Sequence, residues 1–237
     1  MAWAAGTLPD MPEQLSFELP SKTALGRDDF LVAPSNAVAV AMIENWPNWS
    51  GCKLVLAGPE GSGKTHLAHV WASLSGATII HATELSHADI PLLARTEIAV
   101  EDVPQIAGHS IAEQALFHLH NLLLAEGHSL LMTGLGEPSH WQLALPDLQS
   151  RISATQTALL EAPDDALLAA VIAKLFADRQ ITPKADVIPY MIRRIDRSFA
   201  AAQRAVEMLD TASLVQKRAL TRNLAAATLD KMATGGQ

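Results

Sequence analysis

The stretch that decides the fold is a glycine-rich octapeptide, Gly58-Pro59-Glu60-Gly61-Ser62-Gly63-Lys64-Thr65. An apolar run over 54–57 precedes it, and a run with helical periodicity over 66–74 follows it. The pattern G-x-x-x-x-G-K-T between a strand and a helix is typical of a phosphate-binding loop. Glycines let successive backbone N–H groups turn inward as an anion nest, and the helix adds its positive end. The stretch therefore predicts a nucleotide-binding loop.

The side chains of this loop have expected tasks. Lys64 reaches the β- and γ-phosphates, and the Thr65 hydroxyl ligates Mg²⁺. The apolar segment that contains Leu31 and Val32 is a candidate flank for the base, although the loop itself does not distinguish adenine from guanine. The predicted nucleotide contacts of the loop and the first helical turn are Pro59, Glu60, Gly61, Ser62, Gly63, Lys64, Thr65 and His66.

Composition narrows the class of protein. The 237 residues are 49% hydrophobic and 18% charged, which is enough for one large or two small domains with a buried core. No apolar run approaches the roughly 20 residues that span a bilayer, and the first residues lack the pattern of a signal peptide. A single cysteine, Cys52, excludes an intrachain disulfide framework and a cysteine-rich zinc site. We expect a cytoplasmic protein with no membrane partner.

Charge is distributed unevenly along the chain. The net charge of −8 argues against a general nucleic-acid binder. Residues 1–162 carry 6 basic and 17 acidic side chains, whereas residues 163–237 carry 11 and 8. This change of sign indicates two units with different partners or a mutual contact, and a salt-laced helical surface explains it equally well.

Apolar periodicity divides the chain into three parts. Residues 1–22 have no sustained period, which is typical of an extended tail. Over 23–162 strands alternate with helices, which predicts an α/β fold: a doubly wound parallel sheet with ligands at the carboxyl ends of its strands. Residues 163–237 predict a small all-helical domain. Strands are expected at 53–57, 77–81, 98–102, 130–133 and 157–160, and helices at 36–46, 65–75, 85–95, 111–126 and 145–152 and from Asp164, Pro183, Asp196 and Thr221.

The tail contains a short apolar peptide, Gln14-Leu15-Ser16-Phe17-Glu18-Leu19. Apolar side chains with nothing local to bury them indicate either a docking peptide or a tail that packs on its own domain. The peptide resembles the bacterial sliding-clamp-binding motif, a glutamine followed by leucine and an aromatic or aliphatic pair. That resemblance implies five clamp contacts. They are Gln14, Leu15, Ser16, Phe17 and Leu19. Met11 is an alternative start of the chain.

Two acids end the strand predicted over 98–102. A P-loop enzyme needs carboxylates at the end of a neighbouring strand, because they hold Mg²⁺ and orient the attacking water. We assign Glu101 to the metal and Asp102 to the water, with a solvated strand end as the alternative. The usual first acid is aspartate, so the longer Glu101 makes fast hydrolysis a weaker expectation.

Two arginines are placed to act on phosphates, and each has a surface residue as its alternative interpretation. Arg151 precedes the last predicted strand at the rim of the sheet, where an arginine can reach a γ-phosphate on a neighbouring molecule. Arg197, at the start of a predicted helix, is placed to close over phosphates bound by the chain's own loop. The arginine fork suits both tasks because it is always charged and bidentate. His118 and His120 are interpreted as core-edge or solvated residues, and the histidines offer no convincing metal set.

These segments together resemble the AAA+ ATPase superfamily and, within it, the DnaA initiator clan. The resemblance covers roughly residues 27–232. The sequence ends after the helical part, without an initiator-type DNA-binding domain, and carries the clamp-like peptide near its start. That combination resembles the regulators of the clan that inactivate DnaA after replication begins. The matching stretches are 30–36, 58–67, 101–102, 106–108, 130–134, 145–151 and 195–197.

The resemblance implies an AAA+ αβα domain with a C-terminal helical lid, which binds ADP or ATP with Mg²⁺. It implies that Arg151 is an arginine finger directed at ATP held by DnaA, and that Arg197 is the sensor arginine of the lid. The implied partners are DnaA, the sliding clamp of DNA polymerase III on DNA, and a second copy in a homodimer. No direct sequence-specific DNA binding is expected.

The resemblance also implies that bound ADP, rather than turnover, supports activity. One departure concerns the residue after Thr133-Gly134, where related chains often carry a sensor aspartate and this chain has Leu135. Together with Glu101, this residue predicts slow self-hydrolysis. Two alternatives stay open: a helicase-loader-like ATPase that acts by its own turnover, and a nucleotide-gated scaffold that tethers a partner to the clamp.

Overall fold

The computed structural model describes residues 31–216 and 219–234, so the clamp-like peptide over 14–19 lies outside the described residues. None of the helices in these residues is long and apolar enough to cross a membrane. The strands are β1 (Lys53–Gly58), β2 (Thr78–His81), β3 (Ile98–Glu101), β4 (Leu130–Leu135) and β5 (Thr157–Leu159). The helices packed on them are α1 (Ala37–Glu44), α2 (Lys64–Ser75), α3 (Ile90–Leu93), α4 (Ser110–Glu126) and α5 (Pro146–Ser153).

The strands form one parallel sheet in the order β2-β3-β4-β1-β5. β1 therefore lies between β4 and β5, with Leu54 opposite Leu131 and Val55 opposite Thr157. Both faces of the sheet are covered by helices, which is why the central strands read as nearly continuous apolar runs. The carboxyl ends of the strands meet at one edge, and the glycine-rich loop follows β1 at that edge.

Side chains from alternate strand positions pack into two hydrophobic cores, one on each face of the sheet. Val55 and Met132 pack in the core that α4 covers. Leu54 and Leu131 point the other way, into a core that α1 and α2 complete. The second core is closed by stacked tryptophans, because the Trp49 ring lies 5.1 Å from the Trp71 ring. The parallel sheet and its helical layers confirm the predicted α/β fold.

The helices after the sheet build a third core of their own, and no strand interrupts them in the described part of the chain. Phe176, Met191 and Leu209 are buried in this core. The division into a tail over 1–22, an AAA+ domain over 23–162 and a lid over 163–237 stays a prediction. The helices are α6 (Asp165–Asp178), α7 (Val187–Ile192), α8 (Phe199–Gln216) and α9 (Arg222–Thr234).

The predicted helix over 85–95 was wrong in its continuity. A 3-10 helix spans Ala82–His87, and the short α3 follows it. Asp89 separates the two, since its carboxylate accepts from the Leu92 N–H at 3.0 Å and caps α3. Pro91 then falls within the first turn of α3, where its missing N–H costs no intrahelical bond.

Two lid helices begin later than expected. α7 starts at Val187 rather than at Pro183, which brings Pro189 into its first turn and removes the conflict of a proline inside a helix. α8 is capped by Ser198 and not by Asp196, because the Ser198 hydroxyl accepts from the Ala201 N–H at 3.0 Å. The predicted helix starts at Asp164 and Thr221 are confirmed, and the side chains of both residues cap their helices.

Candidate nucleotide site

Glycine shapes the loop between β1 and α2. Gly61 and Gly63 have φ values of +67° and +96°, a left-handed conformation that other residues rarely adopt. A Cβ on Gly58 would lie 2.5 Å from the carbonyl oxygen of Leu160, so only glycine fits there. α2 begins at Lys64, and the unbonded N–H groups of its first turn lie beside the loop. The loop has the shape and the donors of an anion site.

Two buried polar groups in the loop fit a phosphate. The Lys64 ammonium donates to the carbonyl oxygens of Gly58, at 3.0 Å, and Pro59, at 2.7 Å. Burial lowers the pKa of Lys64, and the charge of Asp102 opposes that shift. Ser62 is also buried, and its hydroxyl has no hydrogen-bond partner among the described residues. A phosphate would supply the acceptor that the Ser62 hydroxyl lacks and a charged acceptor for the Lys64 ammonium.

The predicted acids lie at the same edge of the sheet as the loop. Asp102 follows β3 in a left-handed conformation, with φ at +53°, which is uncommon outside glycine and is found at functional sites. Its N–H donates to the buried Thr133 hydroxyl at the end of β4, 3.1 Å away, and its carboxylate lies 3.3 Å from the His81 ring. Glu101 carries a buried carboxylate oxygen that has no hydrogen-bond partner in the described part of the chain. Carboxylate oxygens are ligands that Mg²⁺ takes.

The candidate base-flanking segment docks beside the loop. The Asn36 amide donates to the Leu31 carbonyl at 2.9 Å, so this side chain holds the segment and makes no capping bond to α1. The Glu161 N–H, just after β5, donates to the Ser35 carbonyl at 3.2 Å. This bond brings the segment to the carboxyl edge of the sheet. Val32 is 51% exposed there and is free to contact a base.

The lid touches the loop directly. The Phe199 N–H, at the start of α8, donates to the Gly61 carbonyl at 2.9 Å. A Cβ on Gly61 would lie 2.5 Å from the Ser198 Cβ, so the loop and the segment before α8 are in close contact. Arg197 precedes this contact, and its guanidinium lies 2.8 Å from the Asp165 carboxylate at the start of α6. Sequence reasoning missed this contact, although a serine before a helix was an available signal.

Arg151 lies at the opposite edge of the sheet. It is an exposed residue in the last turn of α5, and its guanidinium lies 5.0 Å from the centre of the Phe117 ring. The end of α5 lies beside Lys53 at the amino end of β1, whereas the loop follows the carboxyl end. Since the six residues of β1 span about 16 Å, Arg151 does not reach phosphates in its own loop.

A buried carboxylate joins two segments at the carboxyl edge of the sheet. Glu113 on α4 accepts hydrogen bonds from the N–H groups of Gly108, Ala144 and Leu145, at 2.7, 2.9 and 2.6 Å. It thereby joins the segment after the β3 acids to the segment that begins α5. Sequence reasoning missed this residue; the available signal was an acid on the apolar face of a helix.

His120 is buried, which corrects its interpretation as a core-edge or solvated residue, whereas His118 is exposed as predicted. The Nε2 atom of His120 lies 3.0 Å from the Lys53 ammonium. Burial lowers the pKa of His120 to about 4, with further contributions from the charges of Lys53 and Arg151. His120 is therefore neutral at pH 7 and accepts a hydrogen bond from Lys53.

His120 predicts an acid-sensitive stability. The unfolded chain takes up this proton near pH 6.5 and the folded chain only near pH 4, so stability is lost as the pH falls between these values. Between pH 7.5 and 4.5 the wild type should lose about 2 kcal/mol more than His120→Gln in urea unfolding. His118→Gln is the matched control, and it should behave as the wild type. Equal losses in wild type and His120→Gln would refute the assignment.

The parallel sheet, the loop after β1 and the helical layers give this chain the AAA+ fold. No protein-family model matches it. Domain III of the Thermotoga maritima replication initiation protein DnaA is 17% identical with a TM-score of 0.77, covering 87% of this chain and 96% of that one.

Two further solved structures show the same fold. A replication initiator DnaA bound to AMPPCP and single-stranded DNA is 16% identical with a TM-score of 0.69, covering 80% of this chain and 66% of that one. A Thermotoga maritima RuvB variant is 18% identical with a TM-score of 0.60, covering 83% of this chain and 66% of that one. The resemblance of fold to DnaA and RuvB is therefore distributed over most of the chain.

Proposed function

We propose that this chain is a nucleotide-binding AAA+ regulator of the Hda type. In this role it joins the DNA-loaded sliding clamp and stimulates hydrolysis of the ATP bound to DnaA, which prevents re-initiation of chromosome replication. The fold shared with DnaA domain III supports the proposal. In the proposed complex the two domains pack side by side. The partner's ATP would then lie between the two molecules.

The position of Arg151 carries the proposal. Its guanidinium is exposed at the edge of the sheet away from its own loop, where only another molecule can present a phosphate. The Phe117 ring beneath it holds the guanidinium outward by a cation–π contact. When water attacks the γ-phosphorus of the partner's ATP and the bond to the β-phosphate oxygen breaks, Arg151 donates to the phosphate oxygens that gain charge.

The chain's own loop would act as a latch. ADP or ATP would bind along the loop, and Thr65 and Glu101 would hold Mg²⁺. Arg197 would leave its 2.8 Å contact with Asp165 to face the phosphates. Its turnover is slow because Glu101 is one methylene longer than the usual aspartate, and because the apolar and exposed Leu135 stands at the end of β4. The bound nucleotide sets the lid through the contact of Gly61 with Phe199.

A reconstituted reaction tests this function. DnaA carrying radiolabelled ATP is mixed with clamp-loaded DNA, and the conversion of its label to ADP is followed with and without this chain. We expect conversion only when chain, clamp and DNA are all present. Conversion of free ATP by the chain alone, stimulated by DNA, would instead favour the helicase-loader-like alternative. No conversion in either case would leave the tethering scaffold as the better account.

The tail gives an independent prediction. Replacing Leu15 and Phe17 by alanine should weaken clamp binding at least about 100-fold, because such apolar anchors dominate peptide docking. Binding is measured by surface plasmon resonance on immobilised clamp, and ADP binding should be unchanged. Ser21→Ala is a control in the same tail. Clamp affinity that survives the double substitution would exclude this peptide as the docking segment.

A further inference from the structure

Arg151 borders a cavity of about 520 Å³ that contains a second cation. Lys53, the first residue of β1, lines the cavity together with the end of α5 and the turn that follows α5. The cavity lies at the amino edge of the sheet, so it is separate from the glycine-rich loop. The lining residues are Ser50, Gly51, Lys53, Arg151, Ala154, Thr155 and Gln156.

The two cations of this cavity, Lys53 and Arg151, have no acidic counterpart within residues 31–216 and 219–234. Among the described residues, no carboxylate forms an ion pair with Lys53 or Arg151. The pKa of Lys53 is lowered by burial and then by the charge of Arg151, and the nearby Cys52 thiol opposes the shift slightly. Two like charges in one half-buried cavity destabilise each other, and an anion between them relieves that repulsion.

Both cations are also held in place by neutral partners. Lys53 donates to Nε2 of the buried His120 at 3.0 Å, and this contact leaves two of its three N–H groups available. Arg151 stacks on Phe117, which leaves the edge of its guanidinium free to donate. Because Lys53 is held by a buried neutral histidine, its ammonium has a fixed position. The arrangement therefore resembles a preorganised anion-binding site more than a chance meeting of surface charges.

We propose that Lys53 and Arg151 together form a binding site for a phosphate group, and that the group is the terminal phosphate of a nucleotide held by a neighbouring molecule. This inference rests on the proposed function and adds Lys53 to it as a second phosphate contact. Arg151 binds as a bidentate fork and Lys53 as a point charge from the β1 side. An acidic side chain of the partner is the competing source of negative charge.

The first experiment uses the isolated chain and needs no partner. Binding of tripolyphosphate is measured by calorimetry in a Lys64→Ala background, which removes the other phosphate site. Lys53→Gln should weaken binding about tenfold, because one charge-assisted contact is lost while the amide still donates to His120. Lys184→Gln removes an equal charge from an exposed site on the lid and should leave binding unchanged. Equal affinities for Lys53→Gln and Lys184→Gln would overturn the site.

The second experiment follows DnaA-bound ATP. Lys53→Gln should slow its stimulated hydrolysis about tenfold at saturating concentrations of this chain, and Lys53→Arg should restore most of the rate. An effect that disappears at saturation would indicate a docking contact with an acidic side chain and would overturn the phosphate assignment. Tripolyphosphate binding that depends on Lys53, without any stimulated hydrolysis, would preserve the site but refute the proposed function. Urea unfolding of each variant verifies its folding, and Lys53→Ala serves as a second variant if Lys53→Gln is unstable.

Discussion

Replacing Arg151 by alanine should lower the clamp-dependent hydrolysis of DnaA-bound ATP by about 10³-fold or more. An arginine that acts in trans contributes factors of this size because it neutralises charge only as the transition state forms. The residue is exposed in the last turn of α5, so its loss should not affect folding. Single-turnover measurements with DnaA preloaded with labelled ATP would give the rate directly.

Two controls accompany this prediction. Arg95→Ala removes an exposed arginine just after α3, and it should leave the rate unchanged. The binding of ADP and of the clamp by Arg151→Ala should also equal that of the wild type, because neither site includes this residue. A stimulated rate within about threefold of the wild type would show that Arg151 is not the finger.

Lys64→Ala should weaken ADP and ATP binding by about 100-fold or more. The Lys64 ammonium is buried and already turned over the loop toward the Gly58 and Pro59 carbonyls, and phosphates would replace these acceptors with charged ones. Several charge-assisted contacts in a half-buried site combine to an effect of this size. Titration of a fluorescent ADP derivative measures the affinity.

The same variant separates nucleotide binding from stability. If Lys64 only held the Gly58 and Pro59 carbonyls, Lys64→Ala would change the urea midpoint and leave the nucleotide affinity unchanged. The urea midpoint and the affinity are therefore both measured. Lys184→Ala is the matched control, since it removes an exposed lysine from the lid. Wild-type affinity in Lys64→Ala would contradict the assignment of the loop as the nucleotide site.

Much of the fold was predictable from the sequence, because strongly periodic segments dominate it. The β1–loop–α2 unit and the parallel sheet follow from apolar runs that alternate with helical ones. The continuous helix expected over 85–95 was wrong because Asp89 and Pro91 end one helix and begin another. Apolar periodicity alone does not reveal such a break. α8 was capped by Ser198 instead of Asp196, since both residues suit a helix start and only the tertiary contact with Gly61 decides between them.

The candidate site was predictable only where one short motif carries it. The loop could be predicted because its glycines and lysine have a fixed spacing, and the two acids could be predicted because they end an apolar strand. Lys53 and His120 are 67 residues apart in the sequence, and Glu113 and Ala144 are 31 residues apart. No local sequence pattern therefore predicts either contact. Such pairings depend on the strand order, which brings β1, α4 and α5 together only in the folded chain.

The contact between lid and loop gives the latch account a physical basis. Phe199 and Gly61 share a hydrogen bond, so movement of the loop around a nucleotide moves the first turn of α8 with it. At the same edge of the sheet, Glu113 holds the start of α5 to the segment after the β3 acids.

The central claim, that the hydrolysis that matters occurs on a partner, is tested most directly by labelling the two nucleotides differently. DnaA is loaded with phosphorus-labelled ATP and this chain with tritiated ATP, and both are mixed with clamp-loaded DNA under single-turnover conditions. The account predicts rapid conversion of the phosphorus label to ADP while the tritium label stays largely ATP. Rapid conversion of the tritium label with the phosphorus label unchanged would contradict it.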